Sequence, residues 1–306
     1  MIESQQLTRR YTGVTAVEDV SFRIGHGEVV GLLGRNGAGK TTVMKMLAGA
    51  LDPSAGEVVI DGHAMGRYRR TLQRRIGYLP ENCPVYPEMT VADYLDYRAA
   101  LQGVARRSRP AALRRALVRT DLTGRAAQTI ATLSRGYRQR VGVAAAIIHE
   151  PAVVILDEPT NGLDPAQIRG MRTLIRTLAE DATVLVSTHI LQEVRAVCGR
   201  VLLLRRGRLV LDAPLDSLDR PTGLDLTVDA GAETLRRALA GLEGLGGMTP
   251  LPAPEGLHRF AIDSETPDAL APDLARRLYE HAIGLHALEP RRRDLEAVFA
   301  DAEDGA

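Results

Sequence analysis

The chain has 306 residues, 45 % of them hydrophobic and 25 % charged, with a formal net charge of +1. That is ordinary material for one large domain or two modest ones, and a charge so near zero argues neither for nor against a polyanionic partner. No run approaches the ~18 apolar residues of a membrane span, MIESQQLTRRYTG has no apolar leader core, and Cys83 and Cys198 lie too far apart to form a CxxC site, so the chain is expected to be cytosolic, with any action at a membrane passing through a partner.

Val17–Ile24 alternates apolar and polar residues and is predicted as a strand, followed by the short apolar strand Glu28–Leu33. Lys40–Ala50 has helical spacing, with Val43, Met46 and Leu47 on one face. Glu57–Ile60 and Arg75–Leu79 read as strands, Val91–Gln102 and Pro110–Arg119 as helices. A helix follows Ser134 and runs to about His149. Ala152–Leu156 is a β-branched apolar strand expected to be buried on both faces. Gln167–Leu178 is predicted as a helix, Thr183–Ser187 as a strand, Leu191–Val197 as a helix, and Val201–Leu204 with Leu209–Leu211 as a hairpin. Strands alternating with helices predict an α/β fold, a mainly parallel sheet wrapped by helices, with an antiparallel layer from the first strands. Near Ser217 the texture changes. Arg220–Gly223 reads as a linker, Leu224–Val228 and His258–Ile262 as strands, Ala232–Leu242 and Pro272–His281 as helices, and Gly241–Gly256 as a loop. Residues 221–306 are therefore expected to form a small α+β module. It carries 8 basic against 16 acidic side chains, where residues 1–220 carry 31 against 22, so the two parts present different surfaces. Its apolar helix faces, Leu274, Leu278 and Ile283, and then Leu295, Val298 and Phe299, are expected to pack on its own small sheet.

Gly34-Arg35-Asn36-Gly37-Ala38-Gly39-Lys40-Thr41-Thr42 matches G-x-x-x-x-G-K-[ST] between a predicted strand and a predicted helix. Glycines let successive backbone N–H groups converge on phosphate oxygens, and the helix N-terminus adds its positive end. Thr41 supplies a hydroxyl suited to Mg2+. The chain has only two lysines, Lys40 and Lys45, among 39 basic residues. A lysine kept at this position against such an arginine habit indicates a slot for a compact point charge, which a planar guanidinium fork does not fill. Val153–Glu158 is an apolar strand ending in two acids, which places Asp157 at the carboxyl edge of the sheet as a magnesium holder and Glu158 beside it as a general base. Together these motifs imply a nucleoside triphosphatase. Ser134 is also a natural helix N-cap, and His189 ends the strand next along the proposed active edge.

Five stretches in this order resemble the ATPase subunit of an ATP-binding cassette (ABC) transporter, over about residues 2–220. The resemblance implies a P-loop NTPase of the ABC-ATPase fold: a mainly parallel sheet, an antiparallel layer and a helical subdomain at about 83–150, with residues 221–306 as the accessory α+β domain. It makes Gly34–Thr42 the Walker A loop, Val153–Glu158 the Walker B strand, Leu133–Gln139 with Ser134 and Gly136 the signature loop, Asn161–Asp164 the D-loop, and His189 the switch histidine. Tyr11 falls where the family stacks an aromatic on adenine; a packed surface tyrosine is the other reading. ATP and Mg2+ are the implied cofactors. Two departures stand out. Glu81 occupies the usual Q-loop glutamine position, and the signature reads Leu-Ser-Arg-Gly-Tyr. Both, with the ending Asp294–Phe299, look like the ABC-2-type exporter subgroup of drug, gliding-motility and copper-maturation members. Glu81 is expected to order metal-bound water.

The implied mechanism is ATP-driven closure of two copies, head to tail, with hydrolysis reopening them. The implied partners are a second copy and integral membrane ABC-2-type permease subunits at the cytoplasmic face of the cell membrane, docked around Glu81–Tyr97; nucleic acid is not an expected partner. The alternative is a cytosolic ABC ATPase of translation or DNA-repair type. One cassette instead of two, and only 112 residues from Thr42 to Val153, too few for a coiled-coil insertion, weigh against it.

Overall fold

β2 (Val14–Ile24), with its alternating apolar side chains, pairs antiparallel with β1 (Ile2–Tyr11), and the pair buries Ile2, Leu7, Val17, Val20, Phe22 and Ile24. The computed structural model describes residues 1–219 and 221–292. It divides the chain into one unit, Met1–Leu215, and a second beginning at Asp216. In the first unit, chain order continues through β3 (Val29–Leu33), α1 (Lys40–Leu47), β4 (Ala55–Ile60), β5 (His63–Ala64), α2 (Met65–Gln73) and β6 (Ile76–Leu79). Three longer helices follow, α3 (Val91–Leu101), α4 (Arg109–Arg119) and α5 (Arg135–Ile147). The chain then returns to the sheet as β7 (Val153–Asp157), α6 (Pro165–Ala179), β8 (Thr183–Thr188), α7 (Leu191–Val197), β9 (Arg200–Arg205) and β10 (Arg208–Pro214), ahead of the short α8 (Leu215–Asp219).

Two sheets result. One is antiparallel, in the order β2-β1-β4-β5; the other runs β10-β9-β3-β8-β7-β6 and is parallel except for β10. All five residues of β7 and all six of β8 are buried, as expected of central parallel strands covered on both faces. Helix α1 buries Val43, Met44, Met46 and Leu47 in the core shared with both sheets, each such side chain contributing ~1.5–3 kcal/mol. Helices α3, α4 and α5 close around their own core of Tyr94, Leu95, Leu117, Leu122 and Val141. The register fixes the working edge. Leu33 pairs with Thr188, and Asp157 with Ser187, so the residues following β3, β7 and β8 emerge at one carboxyl end, where open α/β sheets bind ligands.

The second unit runs β11 (Pro221–Val228), α9 (Ala232–Ala238), β12 (Met248–Leu251), β13 (His258–Asp263), α10 (Pro267–Glu280) and β14 (Leu285–Arg292). Its strand order β12-β13-β11-β14 is wholly antiparallel, a βαββαβ plait. Leu224, Leu226 and Val228 alternate onto the face that also buries Phe260, Ile262, Leu274, Leu278 and Ile283, so those helix faces do pack on the unit's own sheet. The predicted Leu295–Phe299 face and the Asp294–Phe299 ending lie outside the described residues.

Several expectations needed correcting. Residues Pro221–Gly223 open β11 instead of forming a linker, because their backbone pairs with both β13 and β14. The stretch predicted as a loop contains β12, held by β13 despite its short length and Pro250. Helix α10 begins at Pro267, with Pro272 inside it; Pro272 falls six positions into the helix, so the helix start read from it was too late. β1, α2 and β14 were not predicted. β1 hides its apolar pattern behind register shifts beyond Ser4, and α2 is rich in arginine and bends at Tyr68.

Candidate active site

The loop between β3 and α1 holds the most constrained backbone of the site. A Cβ at Gly34 would lie 2.5 Å from the Leu204 carbonyl oxygen, and one at Gly39 would lie 2.7 Å from that of Ala16. Gly39 also has φ of 103°, a conformation reserved for glycine. The loop is thus threaded between neighbouring backbones, and it opens directly onto α1. That helix starts without a side-chain cap or an acidic residue in its first turn, which leaves its first N–H groups and positive end for a ligand.

Lys40 is buried. Its Nζ donates to the carbonyls of Gly34 (2.7 Å) and Arg35 (3.2 Å) and lies 3.2 Å from Glu158 Oε1. Glu158 directly follows β7 in a left-handed conformation, φ 49°, costly for a non-glycine residue. Its Oε2 accepts from His189 Nδ1 at 3.0 Å, so that nitrogen carries the proton. Oε1 is buried and accepts no directed hydrogen bond. Ser187 ties the two acids together: its hydroxyl donates to Asp157 Oδ1 at 2.6 Å and accepts from the Glu158 N–H at 2.9 Å. Asp157 is fully buried; burial pushes its carboxyl above the usual range, opposed by hydrogen bonds from Ser187 and Thr41. Its second oxygen, Oδ2, has no partner. A buried, unpartnered carboxylate oxygen beside the Thr41 hydroxyl fits the oxygen chemistry of a hard divalent cation.

Lys40, Thr41, Glu158 and His189 line a pocket of about 600 Å³ together with Arg35, Asn36, Gly37, Gly39, Thr42, Glu81 and Asn161, whereas Asp157 and Ser187 are not among its lining residues. A family model described as "ABC transporter" matches residues 17–161. The bacitracin transport ATP-binding protein BcrA of Bacillus licheniformis is 34 % identical over 72 % of each chain. The linearmycin resistance ATP-binding protein LnrL of Bacillus subtilis is 26 % identical over 98 % of this chain and 97 % of its own. Among solved structures, a dimeric bacterial ABC transporter cassette matches with a TM-score of 0.65 at 26 % identity, over 70 % of this chain and 99 % of that one. The chain belongs to the ABC transporter family, as an ATP-binding subunit. It is a P-loop ABC ATPase, and ATP is its nucleotide.

Other residues singled out in this ABC ATPase lie elsewhere. Ser134 caps α5, accepting from the Tyr137 N–H at 3.5 Å. Gly136 is buried against the Gln167 amide, where a Cβ would fall 2.5 Å from its Cδ. Asp164 caps α6 in a reciprocal capping box with that same Gln167. None of Ser134, Gly136 and Asp164 lines the pocket of its own chain. Glu81 does line it, and accepts from Asn161 Nδ2 at 3.5 Å. Ala38 is buried under the loop, its carbonyl accepting from the Gly207 N–H. Tyr11 is 45 % exposed at the end of β1 with the Arg9 guanidinium 4.9 Å over its ring, and it is not among the pocket-lining residues. Sequence reasoning passed over Ser187. The signal was a polar residue directly after the apolar run Val184–Val186, paired in register with Asp157. Described residues include no helix long and apolar enough to cross a membrane.

Proposed function

We propose that residues 1–220, with a helical subdomain at about 83–150, are the working cassette, and that it powers a membrane exporter of ABC-2 type. In this reading the Gly34–Thr42 loop binds the phosphates, Lys40 neutralises the β- and γ-phosphates, and Thr41, Asp157 and Glu81 are the residues that would hold Mg2+. The bound cation would offset developing charge on the phosphates. Glu158 accepts the proton of the attacking water through Oε1, which accepts no directed hydrogen bond and lies beside the Lys40 ammonium, and His189 fixes the rotamer of that carboxylate. The carrying observation is the Lys40–Glu158–His189 contact chain at the head of one pocket, aligned by the register of three parallel strands.

Ser134, Gly136 and Asp164 face no nucleotide of their own chain, which supports their acting on the nucleotide of a second copy placed head to tail. Similarity to proteins named for bacitracin transport and linearmycin resistance supports export as the task and permease subunits as partners. The protein would then sit at the cytoplasmic face of the cell membrane, with residues 221–306 as an accessory domain. Tyr11 remains the candidate for the adenine stack.

The test is sedimentation of the Glu158→Gln full chain with and without ATP and Mg2+. A monomer that becomes a dimer on adding ATP is expected, since binding is preserved while the hydrolysis that reopens the pair is removed. A species that stays monomeric at saturating ATP would contradict the two-copy site.

A further inference from the structure

Glu193 lies in the first turn of α7, outside the nucleotide pocket and in none of the motifs above, yet it is only 6 % exposed. A buried carboxylate carries a desolvation cost unless it is satisfied. Among the described contacts it is satisfied by hydroxyls: its Oε2 accepts from Thr160 at 2.6 Å and from Thr188 at 2.8 Å. The 2.6 Å length is that of a charge-assisted O–H···O⁻ bond, the 2.8 Å one that of an ordinary hydroxyl bond, and the N-terminal turn of a helix favours negative charge.

The two donors come from different turns. Thr160 is two residues beyond Glu158, in the turn closed by the Asn161 N–H on the Glu158 carbonyl. Thr188 precedes His189, and its hydroxyl oxygen also accepts from the Ile190 N–H at 3.1 Å. His189 is therefore bracketed by a residue pair pinned through Thr188. The turn after Glu158 is pinned through Thr160, beside the left-handed backbone at Glu158 that needs holding. One carboxylate oxygen is the common anchor of both turns, and the side chains those turns carry meet at 3.0 Å.

We infer that Glu193 is a positioning residue for ATP hydrolysis, which sets the distance between His189 and Glu158 without touching nucleotide. The inference rests on the roles given to Glu158 and His189 above. Removing the anchor frees two turns that contact the hydrolytic end of the pocket, while leaving the phosphate loop, α1 and Lys40 untouched. The consequence is a split: turnover falls and nucleotide affinity does not. Displacements of about 1 Å at reacting groups lower rates by up to ~100-fold.

The experiment measures kcat and KM for ATP hydrolysis, and Kd for ADP, in full-length Glu193→Ala, Glu193→Gln and Thr160→Val/Thr188→Val, with Glu158→Gln and His189→Ala alongside. Glu193→Ala is expected to lose about tenfold or more in kcat with Kd for ADP unchanged within about twofold. Glu193→Gln keeps an acceptor oxygen at the same reach and should recover most of the loss. The double threonine variant should reproduce the Glu193→Ala defect, and decides the matter alone if Glu193→Ala does not fold. Wild-type kcat in either the Glu193→Ala or the double threonine variant, or a parallel loss of ADP affinity, overturns the inference. If Glu158→Gln and His189→Ala themselves hydrolyse ATP at the wild-type rate, the reading of the site falls and this inference with it. If they are inactive and Glu193→Ala is not impaired, only the anchor is wrong.

Discussion

The two units differ in what they bury. In the first, Lys40, Asp157, Glu158, Thr160, Ser187, Thr188 and Glu193 are all buried at the carboxyl end of the parallel strands or just behind it. In the second, Ser264 is the one buried polar residue among those described, and the core of Leu224, Leu226, Phe260, Ile262, Leu274 and Leu278 is apolar throughout. Charges in the second unit pair mostly at its surface, as Arg237 does with Glu233 and Arg276 with Asp273, while Asp225, paired with Arg259 at 2.8 Å, is the partly buried case with one unpartnered oxygen. Burying polar groups costs free energy unless each finds a partner. The first unit also buries Ser4, Thr120 and Thr183 elsewhere, but accepts that cost most densely at this edge, where left-handed backbone, an unpartnered Asp157 oxygen and a tightly threaded loop also gather. The second accepts it almost nowhere. The difference marks one strand edge of the first unit as the place of the candidate site.

The greatest loss should come from Lys40. Lys40→Arg should lower ATP hydrolysis by about a hundredfold or more, because the fork cannot occupy a slot closed by the Gly34 and Arg35 carbonyls. Phosphate release at saturating ATP measures it, and a fully active variant would remove the argument that shape as well as charge is required there. In the second unit the reverse split is expected. Leu274 is fully buried, so Leu274→Ala should cost about 2–5 kcal/mol of that unit's stability while the folded protein's ATP turnover is kept. Denaturant unfolding read alongside hydrolysis checks it; lost turnover in a folded sample would mean the plait takes part in chemistry.

Ser187→Ala probes the boundary between the two kinds of burial. Removing the hydroxyl leaves Asp157 Oδ1 and the Glu158 N–H unpaired, so a loss of about 1–3 kcal/mol in stability is expected, together with slower hydrolysis. Unfolding and turnover of the same preparation show whether both fall. The smallest effect concerns His149, which sits after α5 with one ring nitrogen 3.2 Å from the Ile76 carbonyl. Burial lowers its pKa from the usual 6.5. In the window below 6.5 the unfolded chain binds a proton that the folded chain does not, so stability rises with pH there and falls as pH drops through it. His149→Asn should flatten that slope in thermal melts between pH 5 and 7; an unchanged slope would place its cause elsewhere.

Much of this was legible in the sequence, and the reasons are local. The phosphate loop is specified by glycines whose backbone no other residue adopts, and β7 by an unbroken apolar run, so both were found with their neighbours. The His189–Glu158 contact follows from strand order: β7 and β8 are adjacent, and residues just past their ends meet. Glu193 and Ser187 were not legible as site residues because a glutamate on a short helix and a serine closing a strand are common. Their roles come from parallel register and from contacts between turns about thirty residues apart. In the second unit β12 and β14 escaped notice because edge strands rely on pairing partners more than on their own pattern, as β12 with its proline illustrates.

In the proposed mechanism Glu158 activates water while Lys40 and the glycine loop bind nucleotide. One preparation of Glu158→Gln, measured for both ATP affinity and single-turnover hydrolysis, separates the two roles. Affinity at least as tight as wild type is expected, with hydrolysis slower by about a hundredfold or more. Near-normal hydrolysis with ATP bound would contradict that mechanism.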